Sequence, residues 1–261
     1  MDNRPVLFLD SGIGGIPYAL FFQERNPQES ICYAADRENF PYGPRGKEEI
    51  TAILSALCKK LIIKFNPKII VLACNTATVS AINPLREIFP QVPFVGTVPA
   101  IKPALKAAKY EKIGIIGSER TINDPYNKKL AGSCEIAGIA APELVEFVEK
   151  RMEFADNNEI HEVVQKYVDM FREKKIDTIV LGCTHFLYLI NEFQNAACPD
   201  IKVFDSLEGI IKCIENLLGD MRCYNNTPEN KIVLSGNEEP DELWQKRAQK
   251  YKFEICLLDG I

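Results

Sequence analysis

The 261-residue chain has only two histidines and one tryptophan, and its net charge is a mild −5. A nucleic-acid surface needs clustered basic residues, so no nucleic-acid partner is expected. A small anionic substrate is still compatible with a few local donors. No apolar run approaches the ~20 residues that cross a bilayer, so no membrane partner is expected either. Met1-Asp2-Asn3-Arg4-Pro5 runs directly into a strand-like Val6-Leu7-Phe8-Leu9, without a signal-peptide pattern. Cys-x-x-Cys pairs are also missing from the nine cysteines. The closest two, Cys213 and Cys223, are too far apart for a zinc knuckle, and no metal site is expected. An odd number of scattered thiols, several in apolar contexts (Cys32, Cys58, Cys213, Cys256), reads as buried free cysteines rather than a disulfide framework. That usage suits a reducing cytosol, so a cytoplasmic location is expected.

The hydrophobic fraction of 46% is enough to build one large or two modest cores. Strand-like runs alternate with amphipathic segments. The expected strands are Val6–Leu9, Ser30–Ala34, Ile69–Ala73, Phe94–Gly96, Ile113–Ile116, Thr178–Leu181, Lys202–Phe204 and Lys231–Leu234. Helical patterns cover Lys47–Phe65, Thr78–Ile88, Asn123–Ala137, Ile160–Lys174 and Leu207–Leu218; in the first, Ile50, Ile53, Leu54, Leu57 and Leu61 share a stripe. This alternation predicts an α/β fold with mostly parallel sheets flanked by helices, in two related lobes. The first lobe ends near residue 98, where Gly96-Thr97-Val98-Pro99-Ala100 breaks the pattern, and the second spans 99–206. Periodicity leaves open whether 207–261 joins the second lobe or returns to the first.

Two segments repeat one arrangement: an apolar strand, a cysteine at its end, then small hydroxyl residues opening a helix. Lys68-Ile69-Ile70-Val71-Leu72-Ala73 leads to Cys74-Asn75-Thr76-Ala77, and Asp177-Thr178-Ile179-Val180-Leu181-Gly182 leads to Cys183-Thr184-His185. Ligands of open α/β sheets gather beyond the carboxyl ends of such strands, and a helix start favours negative charge there. With two lobes, both cysteines are expected around one cleft. A thiol with a pKa near 8.5 costs about 2 kcal/mol to ionise at pH 7, so it is a serviceable proton carrier. Either cysteine alone could be a small buried hydrophobe; the repetition favours a matched acid and base.

Asp10-Ser11-Gly12-Ile13-Gly14-Gly15 follows the first strand and could cradle an anion, although it does not match the dinucleotide fingerprint. Asp10 there is either a helix cap or a group that holds an ammonium or helps deprotonate a thiol. Phe40-Pro41-Tyr42-Gly43-Pro44 is a turn by composition, and its phenol and backbone N–H would suit a carboxylate at a cleft rim. Thr76 and Thr184 are placed either to cap helices or to receive an anion. His185, two residues after Cys183, is near enough to titrate it, while His161 lies in a charged, solvent-facing helical segment.

Asp10–Gly15, Pro41-Tyr42-Gly43, Ala73–Ala77, Gly96–Ala100 and Gly182–His185, in this order along the whole chain, together resemble the glutamate racemases of bacterial cell-wall synthesis. Val233-Leu234-Ser235-Gly236 followed by an amphipathic helix is similar to that family's ending. The resemblance implies a cofactor-free racemase that interconverts L- and D-glutamate by two-base proton transfer at Cα, with the D form feeding peptidoglycan. It implies that Cys74 takes the proton from D-glutamate and Cys183 from L-glutamate, assisted by Asp10 and His185, with Glu149 as a further acidic group. Ser11, Tyr42, Gly43, Asn75, Thr76, Thr121 and Thr184 would hold the substrate with Asp10 and His185. It also implies that 207–261 returns to the first lobe, and a homodimer is compatible with it.

The sequence departs from the family pattern at Phe186-Leu187, Asp205-Ser206-Leu207 and Gly117-Ser118, which bear on pocket shape more than on chemistry. The long N-terminal extension of members activated by a cell-wall precursor has no counterpart, so that regulation is not expected. Rival readings are a relative acting on aspartate or a hydantoin, a non-catalytic amino-acid-binding module and a dithiol redox protein.

Overall fold

A computed structural model describes residues 2–109, 112–224 and 227–259. The chain divides into two compact units, Met1–Thr97 with Leu207–Ile261 and Val98–Ser206. Each has its own parallel sheet. No helix among the described residues is long and apolar enough to cross a membrane.

In the first unit the strands are β1 (Val6–Asp10), β2 (Ile31–Ala35), β3 (Ile69–Leu72), β4 (Phe94–Gly96), β9 (Asn230–Leu234) and β10 (Glu254–Leu257). They line up as β10-β9-β2-β1-β3-β4, all parallel. The continuous apolar runs of β1 and β3 are sealed on both faces, as an α/β sheet requires. Helix α1 (Ile16–Arg25) follows β1. Helix α2 (Lys47–Phe65) buries Ile50, Leu54, Leu57, Cys58 and Leu61, and it packs beside α3 (Asn75–Ile88). Each leucine removed from water there stabilises the unit by about 1.5–3 kcal/mol. Helix α10 (Leu207–Leu218) lies in this unit. So does α11 (Glu242–Tyr251), which connects β9 to β10.

The second unit orders its strands β6-β5-β7-β8: β5 is Lys112–Gly117, β6 Glu135–Ala140, β7 Thr178–Gly182 and β8 Lys202–Phe204. Around them lie α4 (Ile101–Ala107), α5 (Glu119–Ile122), α6 (Pro125–Ala131), α7 (Pro142–Lys150), α8 (Asn157–Glu173) and α9 (Ile190–Ala197). Ile101, Ala104, Ile113, Ile115 and Val180 belong to one hydrophobic cluster of this unit, and Val164, Val168, Phe171, Ile179 and Phe193 are fully buried as well.

Three details differ from the sequence reading. The helix expected over Asn123–Ala137 stops at Ala131, where Gly132 takes a positive φ of 62°, and residues from Glu135 pair with β5 as β6. The edge strand β10 has no counterpart among the expected strands. Cys213 is exposed, because the apolar stripe of α10 runs through Ile210, Ile211, Ile214 and Leu218 and leaves it on the outer side; Cys256, on the edge strand, is half-buried. All nine cysteines are free.

Both sheets contain the same core order. The first strand (β1 or β5) lies between the second (β2 or β6) and the third (β3 or β7), with the fourth (β4 or β8) beyond the third. Chain direction across the sheet therefore reverses between the first and third strands, where α/β sheets open a crevice at the carboxyl ends. Cys74 follows β3 and Cys183 follows β7, so each unit carries its cysteine at that switch point.

Candidate active site

In the first unit, register pairs Leu9 with Leu72, so Asp10 and Cys74 emerge from neighbouring strand ends. Cys74 has extended backbone and is the N-cap residue of α3, a helix of 14 residues whose dipole favours a thiolate at this position. Thr76 therefore lies inside the first turn of the helix and does not cap it. Asn75 is 4% exposed, and its Nδ2 is buried without a hydrogen-bond partner. An unpaired buried amide costs roughly 1–3 kcal/mol unless a ligand satisfies it.

Asp10 is wholly buried and does not cap α1, whose N-cap is Gly15. Its Oδ1 instead accepts bonds from Ser11 Oγ at 3.3 Å and Gly12 N at 3.2 Å, folding the glycine turn back over the strand end. A Cβ on Gly15 would lie 2.6 Å from the Ala73 Cβ, so this close approach beside Cys74 requires glycine. Tyr33 was not anticipated. From inside β2, its hydroxyl donates to Gly12 O at 2.7 Å and accepts from Gly15 N at 3.2 Å, which fixes the turn. A tyrosine in an otherwise apolar buried strand is the sequence signal for such a tethered hydroxyl.

Tyr42 is 1% exposed rather than at a rim, and its hydroxyl donates to Asp36 Oδ2 at 2.6 Å. Burial, then the charge and hydrogen bond of Asp36, push its ionisation well above the ordinary phenol range. Its single proton is thus committed, and what this turn can offer a carboxylate is backbone. Gly43 is exposed, with open space where a Cβ would stand.

In the second unit, Cys183 caps a 3-10 turn over Thr184–Leu189, which leads into α9; it lacks the long helix that follows Cys74. An imidazole stands beside it instead. Cys183 Sγ lies 3.7 Å from His185 Nδ1, and His185 Nε2 lies 2.6 Å from Glu149 Oε1, on the last turn of α7. The carboxylate fixes a proton on Nε2, leaving Nδ1 to take the thiol proton or return it. Burial alone would lower the His185 pKa. The hydrogen bonds and charges of Cys183 and Glu149 outweigh it and hold the imidazolium well above its ordinary range.

Thr184 is 2% exposed, and Thr121 is fully buried in α5, where its Oγ1 accepts from Ser118 Oγ at 3.0 Å. Asn127 Nδ2 donates to Thr121 O at 2.5 Å, another tether the sequence did not signal. A Cβ on Gly182 would lie 3.5 Å from Thr121 Cγ2, so this threonine sits at the root of the Cys183 turn. The named residues thus form two sets: Asp10, Ser11, Tyr42, Gly43, Cys74, Asn75 and Thr76 in the first unit, and Thr121, Glu149, Cys183, Thr184 and His185 in the second. His161 is half-exposed and bonds Glu192 on the surface. Among the described residues, no group of three or more His, Cys, Asp or Glu side chains could hold a metal ion.

The family model described as Asp/Glu/Hydantoin racemase matches residues 21–213. The chain belongs to this racemase family. A glutamate racemase of Treponema pallidum is 38% identical over 228 residues, covering 83% of this chain and 85% of the relative. Among solved structures, a glutamate racemase isoform of Bacillus anthracis is similar, with TM-score 0.85 and 27% identity, covering 100% of this racemase and 99% of that chain. The Escherichia coli glutamate racemase, solved with L-glutamate and the activator UDP-MurNAc-Ala, has TM-score 0.85 and 27% identity, with 97% of each chain covered. This racemase is accordingly an isomerase with an α/β fold of two parallel sheets.

Proposed function

We propose that this racemase interconverts L- and D-glutamate without a cofactor, using Cys74 and Cys183 as the two bases. The observation that carries the reading is that both thiols stand at one topological position, with Asp10 on the strand end next to that of Cys74 and His185 3.7 Å from Cys183. The relatives named glutamate racemase support the choice of substrate.

The Cα proton is barely acidic. One sulfur, as thiolate, takes it, and the bonding pair stays on Cα as carbanion character spreads into the adjacent carboxylate. The other sulfur, as thiol, then delivers its proton to the opposite face of Cα, giving the mirror-image product and exchanging the charge states of the two sulfurs. By this scheme Cys183 starts from L-glutamate, its proton managed by His185 and Glu149, and Cys74 starts from D-glutamate beside Asp10. The unpaired Asn75 amide and the first N–H groups of α3 suit a carboxylate, whose charge they stabilise as it grows. Ser11, Thr76, Thr121, Thr184 and the backbone at Gly43 complete the binding set. D-glutamate made in the cytoplasm would feed peptidoglycan synthesis.

The test is incubation of each glutamate enantiomer in D₂O. Both should racemise and acquire deuterium at Cα, with aspartate run in parallel as a substrate control. Ligand-induced stabilisation without exchange at Cα would replace catalysis by simple binding.

A further inference from the structure

We propose that Asp36, anchored by Ser235, is a positioning residue for this reaction: it holds the Pro41-Tyr42-Gly43 turn in its substrate-ready conformation. The proposal rests on the glutamate racemase reading above. Asp36 is 1% exposed and directly follows β2, and its N–H donates to Asp10 O at 2.8 Å. Its backbone is thereby fixed to the strand end that carries the catalytic aspartate. Its carboxylate accepts on both oxygens. Oδ2 receives Tyr42 Oη at 2.6 Å and Asn39 Nδ2 at 3.1 Å; Oδ1 receives Ser235 Oγ at 2.7 Å and Asn39 Nδ2 at 3.0 Å.

Ser235 comes from the far end of the sequence, just beyond β9. Its N–H donates to Ala35 O at 3.0 Å, and its Oγ also accepts from Glu38 N at 3.1 Å. Arg37 Nε donates to Ser235 O at 2.9 Å, closing the loop from the other side. One buried carboxylate therefore joins the Asp10 strand end, the C-terminal segment and the turn that ends at the exposed backbone of Gly43.

The chemistry needs an acid, not merely a polar residue. Tyr42 and Ser235 each have a single hydroxyl proton, both given to Asp36, and the Asn39 amide adds further donors; only a carboxylate accepts from all of them. An amide in its place must turn an NH₂ toward one hydroxyl. Tyr42 or Ser235 then loses its acceptor, and the turn is released from one of its two anchors. Because the turn meets the substrate through backbone and away from the reacting atoms, its loosening weakens ground state and transition state alike.

Asp36→Asn is therefore expected to raise the KM for glutamate about tenfold with kcat kept within about threefold, and Ser235→Ala to raise KM about threefold. The double variant should fall short of the product of the two, because both act through one network. Unchanged KM in a folded Asp36→Asn, or a fall in kcat without a change in KM, overturns the proposal while wild-type exchange at Cα still upholds the racemase reading. A wild-type chain inert toward glutamate overturns both. Should Asp36→Asn fail to fold, the KM of Ser235→Ala decides: unchanged, it overturns the proposal.

Discussion

Each unit buries one ion pair deeply among the described residues, and the two pairs sit at opposite ends of their sheets. In the first unit Lys68 and Glu29, 0% and 3% exposed at the side chain, meet 2.5 Å apart just before β3 begins. Cys74 lies beyond the other end of that strand. In the second unit the pair is His185 and Glu149, 5% and 11% exposed, beyond the carboxyl end of β7 and in line with Cys183. The first unit thus has its buried ion pair at the end of the sheet away from Cys74, which is followed by a long helix and stands beside the Asp10 strand end. The second unit has its pair beside its cysteine, which opens only a 3-10 turn. On the proposed mechanism these are two solutions to the same problem, a thiol that must gain and lose a proton near neutrality, at one position in a shared topology.

The largest effect should come from removing either sulfur. Cys74→Ala and Cys183→Ala are each expected to lower racemisation by about 10⁴-fold or to background, in both directions, because the proposed mechanism needs one thiolate and one thiol in every turnover. Polarimetry or coupled assays from both enantiomers measure this. Near-normal turnover in either variant would show that one unit's cysteine is only a strand-end hydrophobe and would end the parallel between the units.

Much of this comparison was legible in the sequence. Continuous apolar runs gave the buried strands β1, β3, β5 and β7, because a strand covered on both faces has no polar alternation to blur it. The cysteines stood out because they terminate two such runs. The edge strands β4 and β8 were read as well, but the opposite edges, β6 and β10, were harder. Glu135-Ile136-Ala137-Gly138 mixes helix formers with half-exposed positions and reads as the tail of α6, and only pairing with β5 makes it a strand. Glu149 is one of several acidic residues on α7, and nothing local distinguishes the one that meets His185 from Glu143 or Glu146. The direction of the Tyr42 hydroxyl depends on Asp36, which reaches the turn only because β2 pairs with both β1 and β9.

A smaller effect should follow from Glu149→Gln. In the wild type the imidazolium of His185 persists above its ordinary range, so a rate that depends on it declines only on the alkaline side, as pH rises through the raised pKa. Without the Glu149 charge, burial pulls the His185 pKa down and the imidazolium is lost at lower pH. The alkaline limb of kcat/KM should therefore move toward acid, with about a tenfold loss at neutral pH, consistent with losing a charge-assisted bond. A pH–rate profile that keeps its limb in place would remove Glu149 from proton management and leave it a structural partner, like Glu29.

The smallest effect on turnover, and the largest on stability, is expected from Lys68→Met. Lys68 Nζ also donates to Asp2 O at 2.8 Å and Met221 O at 2.9 Å, while Glu29 Oε1 accepts from Cys223 N at 2.9 Å. The pair therefore ties the chain's start to the segment after α10. Losing the ammonium leaves the Glu29 carboxylate buried and unpaired, which costs about 3–5 kcal/mol of unfolding free energy. Adding Glu29→Gln should recover part of that loss, because a neutral amide can still accept from Cys223 N without a stranded charge. Denaturant melts read the stability and assays at 25 °C read the turnover, which should stay within about twofold of wild type for the protein that remains folded. If Lys68→Met instead moved the pH–rate profile while Glu149→Gln moved only the melt, the roles assigned to the two buried pairs would have to be exchanged.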